Sequence, residues 1–244
     1  LLSFFGRANY DYKNRYLLTA TFRADGSSKF LEQNRWGYFP AFAAGWKISE
    51  ENFLKGKSAI NLLKLRASYG EAGNNNIPVG QQVQIFQSTA TTWINGVTSV
   101  WAPSKTMPNP DLKWETTVTQ NFGLDFGFFK NRLSGNFDVY KNVTSDLLIN
   151  FPVPGSGYDF QYRNMGETQN TGFEATINVV AIEKAKYGLN FSFNMGINKN
   201  RINSLGVMNN FGAATGWASS QIGDDYLIEV GSSLGTMYGY KNDG

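Results

Sequence analysis

Five places in the 244-residue chain carry side chains that could do chemistry. Asp138 and Asp146 could form an acid–base pair, one carboxyl giving a proton while the other takes one. Rim or interior carboxylates paired with Arg and Lys account for them more simply. Asp25-Gly26-Ser27 could be a ligand loop, although residues of this kind more simply build a tight turn. Gly70-Glu71-Ala72-Gly73, followed by Asn74, Asn75 and Asn76, superficially suggests a phosphate-binding turn. No strand–helix–strand setting surrounds it, so it reads as the start of a loop. Asn142-Val143-Thr144 fits a glycosylation sequon. The fifth group is aromatic: Trp93 and Trp101 in one long polar stretch, and Phe151, Tyr158, Phe160 and Tyr162 in another. Such rings could stack on sugars, contact peptide side chains or anchor a protein partner, or simply pack within their own loops.

Composition removes most of the catalytic options. The chain has no cysteine and no histidine, which excludes a disulfide scaffold, a Cys-based zinc site and the usual triads. No nucleophile stands beside a base, so enzyme activity is not expected, nor is a metal or organic cofactor. A net charge of +3 is too small to argue for nucleic acid. No apolar run is long enough for a transmembrane helix. The opening Leu1-Leu2-Ser3-Phe4-Phe5 lacks the basic n-region and cleavage site of a signal peptide. It reads as the inside of a strand, so the chain is expected to be a piece of something longer.

What positions these residues is a series of strands. In "YLLTATFRAD" (16–25), Tyr16, Leu18, Ala20, Phe22 and Ala24 alternate with Leu17, Thr19, Thr21, Arg23 and Asp25, the period of a strand with one oily face. The same pattern recurs over 63–70, 117–128, 133–140, 172–179 and 189–198, and further strands are expected at 3–11 and 35–47. Across the six alternating segments the oily face carries no formal charge, whereas the other carries Arg23, Asp25, Lys64, Arg66, Asp125, Asp138 and Glu174. Either lipid or the core of a soluble sandwich would forbid charge on the oily side, so this asymmetry establishes strands and not their surroundings.

The connections discriminate more sharply. Links at 12–15, 48–61, 129–132 and 181–187 are short, and those at 25–35, 71–112, 146–171 and 199–237 are mostly longer and rich in Gly, Asn, Pro and Trp. Alternating tight turns and long loops is the signature of an outer-membrane barrel. The 48–61 link is an imperfect member of the short set and could hold a helical turn started by Ser49. Trp46, Trp114, Phe128, Phe129 and Tyr187 fall near strand ends, where interfacial girdles sit.

Several stretches resemble successive segments of the SusC/RagA group of TonB-dependent outer-membrane transporters. They include "YLLTATFRADGSSKF", "NRWGYFPAFAAGWKISEENFL", "LLKLRASYGEAGNNNIP" and "NPDLKWETTVTQNFGLDFGFFKNRLSGNFDVYKNVTSDLLI". "NMGETQNTGFEATI", "FNMGINKNRINSL" and "GSSLGTMYGYKNDG" continue the likeness over nearly all of residues 1–244. It implies an all-β antiparallel meander forming part of a plugged barrel of about 22 strands, of which about eight or nine are present here. The plug, the TonB box and the closing strands would lie outside this chain. It further implies import of oligosaccharides or peptides across a Bacteroidetes-like outer membrane, with a SusD-like lipoprotein as lid and the TonB complex acting through the missing N-terminal part. Arg23, Lys64, Arg66, Asp125, Asp138 and Glu174 would then face the lumen or the plug. Trp93, Trp101, Tyr158 and Tyr162 would lie in external loops that meet ligand or partner. Two alternatives stay open: a self-contained small membrane barrel of structural or adhesive role, and a soluble β-sandwich that binds carbohydrate.

Overall fold

The structure, a computed structural model, describes residues 1–54, 56–89, 100–215 and 223–239. The chain lays down Leu2–Tyr12 (β1), Tyr16–Gly26 (β2), Trp36–Lys47 (β3) and Ile60–Asn74 (β4). Three short strands follow, Phe86–Thr89 (β5), Val100–Pro103 (β6) and Thr106–Met107 (β7). Glu115–Phe128 (β8) and Leu133–Ser145 (β9) are long again, and Leu148–Pro152 (β10) and Phe160–Asn164 (β11) are short. Glu167–Lys184 (β12) and Tyr187–Ser204 (β13) precede the short Asn210–Ala213 (β14) and Tyr226–Glu229 (β15). The eight long strands form one sheet in the order β1-β2-β3-β4-β8-β9-β12-β13. Every neighbouring pair is antiparallel, so the sheet is a simple meander.

The tight links gather at one end of the sheet. Tyr12 pairs Tyr16, Phe128 pairs Leu133 and Lys184 pairs Tyr187, leaving two to four residues in each turn. Lys13, Asn14, Phe129, Lys130 and Asn131 take left-handed φ between 55° and 62°. Asn61 braces the second turn: its Oδ1 accepts the backbone N–H of Lys130 at 2.6 Å and of Asn131 at 3.3 Å. The longer fourth link opens with a 3-10 turn over Ile48–Glu50, and Ser49 lies inside that turn rather than starting it.

Strands run further than alternation alone marks. Gly70–Asn74 belong to β4, so that stretch is not a loop start. Asp25 and Gly26 pair with Gly37 and Trp36 as the end of β2, and the turn begins one residue later, where the Ser27 carbonyl accepts the Phe30 N–H at 3.4 Å. A Cβ at Gly26 would stand 3.1 Å from the Trp36 ring, a close contact to which the ring would have to yield. These extensions are polar on both faces, which hides them from a hydrophobic pattern while their backbone ladders continue.

The oily face is the open one. Phe122 is 64% exposed, Ile197 61% and Leu18 51%, and among the described residues no second layer covers them. A sandwich would press such faces together. Nor do the two edge strands, β1 and β13, pair with each other among the described residues, so the chain does not close into a small barrel.

The oily band also slants across the sheet. Ladder partners define rows, and one row runs Ala20, Phe42, Tyr69, Gln120, Lys141, Thr171, Lys199. Ala20 is the centre of the band on β2, but the centre on β13 is Phe193, six residues from Lys199. Six residues of strand cover about 20 Å, gained over six inter-strand steps of about 4.8 Å each. A level band therefore requires strands inclined by about 35°, within the tilt of outer-membrane barrels.

Candidate functional site

The face opposite the oily one carries the chain's densest polar network. Arg66 on β4 donates from Nε to both carboxylate oxygens of Asp125 on β8, at 2.9 and 3.0 Å. Its Nη2 reaches both oxygens of Asp138 on β9, at 3.0 and 2.9 Å. Lys64 stands 3.7 Å from Asp125, and Asn136 donates to Asp138 at 2.8 Å. Four of the six charges expected to face the lumen or plug thus meet in one cluster. Glu174 adjoins it, sharing a row with Asp138 and Gly196, with its carboxylate exposed. Arg23 stands apart near the loop end of β2, paired with Asp25 at 2.6 Å.

Glycine makes the cluster possible, a role that alternation alone does not reveal. Arg66 pairs with Gly123, and Gly123 pairs with Asp138, so the guanidinium must cross β8 to reach β9. A Cβ at Gly123 would lie 2.6 Å from both Arg66 Nη2 and Asp138 Oδ1. The same device recurs one row away. Tyr140 on β9 crosses Gly172 on β12 to place its hydroxyl 3.3 Å from Asn198 Oδ1 on β13. Long polar side chains therefore lie flat across the sheet.

The long links form a folded rim at the other end of the sheet. Phe30, Phe39, Ile77, Leu112 and Trp114 make its apolar core, with Leu148 and Tyr162 packed against it. Trp114 is 9% exposed and donates its indole N–H to the Arg35 carbonyl at 3.1 Å, so it is a core residue of the rim and not part of a girdle. Polar ties join the links: Asn109 to the Tyr162 carbonyl, Gln161 to the Pro108 carbonyl, and Lys113 to Asp146 at 2.7 Å. Asp146 is therefore paired at the rim, just past the end of β9 and away from Asp138, and the two form no acid–base pair. β10, β11 and β7 add a three-stranded sheet.

The rim's aromatic side chains divide by role. Tyr162 faces the rim core, and Tyr158 donates its hydroxyl to Gln84 at 2.8 Å. Phe151 carries the Arg163 guanidinium 5.0 Å over its ring. Trp101 is 71% exposed on the β5–β6 hairpin, one register step of two residues from the exposed Phe86. Trp93 lies outside the described residues.

At the tight-turn end, a carboxylate organises a cluster of aromatic side chains. Glu51 accepts from the Tyr16 hydroxyl at 2.7 Å and the Trp46 indole at 3.0 Å, and Arg15 approaches it at 3.2 Å. The Tyr16 hydrogen bond first, then the Trp46 and Arg15 contacts, hold the Glu51 carboxyl below its usual range, with partial burial opposing them. Tyr12, Tyr16 and Trp46 stack in series at 6.4 and 6.5 Å between ring centroids.

A slanted antiparallel meander with an open oily face, a charged opposite face, tight turns at one end and a folded rim at the other is a segment of transmembrane β-barrel wall. Residues 2–240 match the family described as TonB dependent receptor-like, beta-barrel, and the chain belongs to that family. It is 43% identical over its full length to the TonB-dependent receptor P39 of Formosa agariphila, covering 22% of that protein. It is 38% identical over 96% of its length to the TonB-dependent receptor SusC of Bacteroides thetaiotaomicron, again covering 22%. The solved RagAB peptide importer in its closed-closed state matches 94% of the chain with a TM-score of 0.82 and 28% identity, and the chain covers 24% of it. The chain thus spans less than a quarter of the length of these relatives.

Proposed function

We propose that the protein is a SusC-like, TonB-dependent importer of oligosaccharides or peptides in the outer membrane of a Bacteroidetes-like bacterium. In this reading residues 1–244 are barrel wall and external rim. The observation that carries it is the uncovered oily band with its slant of about 35°, which a lipid-embedded barrel wall requires. Arg66, Asp125, Asp138 and Lys64 line the lumen beside the plug, and Glu174 and Arg23 offer further charge to plug or cargo. Because Arg66 lies flat over Gly123, the wall keeps its charge neutralised in place and leaves width for an occupied pore.

A SusD-like lipoprotein sits over the long-loop end as a lid. The exposed Trp101 and Phe86 supply apolar anchor area there, the kind of residue that dominates protein interfaces. The name of the RagAB importer supports a peptide cargo and that of SusC supports membership in the same transport class. In this reading the chain's own residues supply scaffold and binding surface.

The full-length receptor purified in mild detergent should carry a tightly bound lipoprotein. A strain lacking the receptor should lose growth on one class of glycan or peptide while growing normally on the free monomers. A receptor that purifies alone, from a strain whose growth on all such polymers needs no receptor, would contradict the reading.

A further inference from the structure

On two strands that flank β12, the outward oily band gives way to cations. Along β13 the outward side chains run from Leu189 to Ile197 and then become Lys199 and Arg201. On β9, Val139 is followed on the same face by Lys141. Lys141 and Lys199 share a row, with only Thr171 of β12 between them, and Gln169 lies between Val143 and Arg201 in the next row. Two strand steps put the lysines about 10 Å apart, and Arg201 lies about 7 Å along the strand from Lys199. All three cations are exposed, and among the described residues none forms an ion pair or hydrogen bond.

Among the described residues, their neighbours in the sheet supply no free counter-charge. Thr171 and Gln169 are neutral. Glu167, further along β12, is engaged by the Ser145 hydroxyl at 3.0 Å and Asn203 at 2.8 Å. Glu71 on β4 accepts from Tyr69. Three like charges this close repel one another unless an anion joins them.

Their depth identifies the anion. From Leu189 to Ile197 is about 26 Å of strand, or about 21 Å of membrane depth at the slant measured above, close to the height of an outer-membrane apolar band. Lys199 stands about 5 Å beyond its end, on the long-loop side, where hydrocarbon gives way to headgroups. Basic side chains grouped at that level are suited to anionic headgroups. A guanidinium fork binds phosphate oxygens in pairs, and ammonium groups add point charge beside it.

We propose that Lys141, Lys199 and Arg201 form a docking surface for a phosphorylated lipid of the outer leaflet, whose acyl chains lie on Val139, Phe173 and Ile197. The proposal rests on the membrane-barrel reading above. The phosphorylated lipid covers the end of the wall where the rim begins.

The test uses the full-length receptor in phosphatidylcholine nanodiscs doped with lipid A carrying both phosphates, or with the same lipid stripped of them. Retained lipid is counted by mass spectrometry after washing. The wild type should retain the phosphorylated form in preference, and Lys141→Gln, Lys199→Gln and Arg201→Gln should each weaken retention by about fivefold. Lys184→Gln, at the tight-turn end, should change nothing, and inorganic phosphate should not compete. Equal retention of both lipids by the wild type, or undiminished retention by the triple variant, would overturn the proposal. So would a triple variant destabilised alike in both lipids, since the cations would then be meeting carboxylates of a neighbouring barrel strand. Failure of the wild type to enter the bilayer as a heat-modifiable barrel would instead overturn the membrane reading.

Discussion

Arg66 reaches Asp138 across a whole intervening strand because Gly123, which lies between them in the same row, has no side chain. The contact gives one guanidinium two carboxylates on two different strands and ties β4, β8 and β9 together on the polar face.

Gly123→Val should therefore break the Arg66–Asp138 contact without touching the oily face. Hydrogen bonds to charged groups are worth about 1.5–3 kcal/mol each, and partial solvent exposure here moves the expected loss toward the lower end of that range. Denaturant unfolding of the folded barrel checks it. A double-mutant cycle of Arg66→Gln and Asp138→Asn should show positive coupling that vanishes in the Gly123→Val background.

The slant of the oily band predicts that depth, and not row, sets the tolerance for charge. Ala20 and Lys199 share a row, yet Ala20 is at the middle of the band and Lys199 beyond its edge. Ala20→Arg and Phe193→Arg should each cost about 2–4 kcal/mol, and Thr171→Arg about 0–1 kcal/mol. Unfolding of the barrel in lipid vesicles measures all three.

Glu51 makes the tight-turn end sensitive to acid. Its carboxyl is held below the usual range by Tyr16, Trp46 and Arg15, so the folded state binds its proton less readily than the unfolded one. The stability it contributes is complete above the ordinary glutamate range and disappears as pH falls through the lowered value. Glu51→Gln should lower the melting temperature at neutral pH and flatten the loss on acidification, read from melting curves across pH.

Trp114 holds the rim and not the wall. Trp114→Ala should cost the rim about 3–5 kcal/mol of local stability. Hydrogen exchange should rise at residues 27–35, 108–114 and 160–164, with β12 and β13 unchanged.

Most of the wall is legible in the sequence because lipid or core imposes one requirement, an uncharged face at period two, wherever a strand crosses it. Phe122, Leu124 and Phe126 announce β8 in this way. The method ends where the band ends: Gly70–Asn74 and Glu167–Asn170 stay in ladders whose backbone bonds need no oily side chain. Trp114 sits in phase with Val118 and so resembles a girdle residue, but the chain has already turned into the rim, and only tertiary packing reveals it. Lys64, Arg66, Asp125 and Asp138 were readable as one polar face. Their meeting was not, since it depends on strand register and on Gly123. The importance of Glu51 was hidden likewise, because its partners Tyr16 and Trp46 come from two other segments.

The central claim is that the oily face meets acyl chains, and site-directed labelling of a full-length receptor freed of any native cysteines tests it directly. Spin labels on single cysteines at Leu18, Phe122 and Phe193, and at Thr19, Asn121 and Asn194, would be placed in the full-length receptor in bilayers. The first three should be relaxed by oxygen, which concentrates in lipid, and the second three by a water-soluble nickel chelate. Labels at Leu18, Phe122 and Phe193 that are shielded from oxygen, or reached equally by the nickel chelate, would contradict the account.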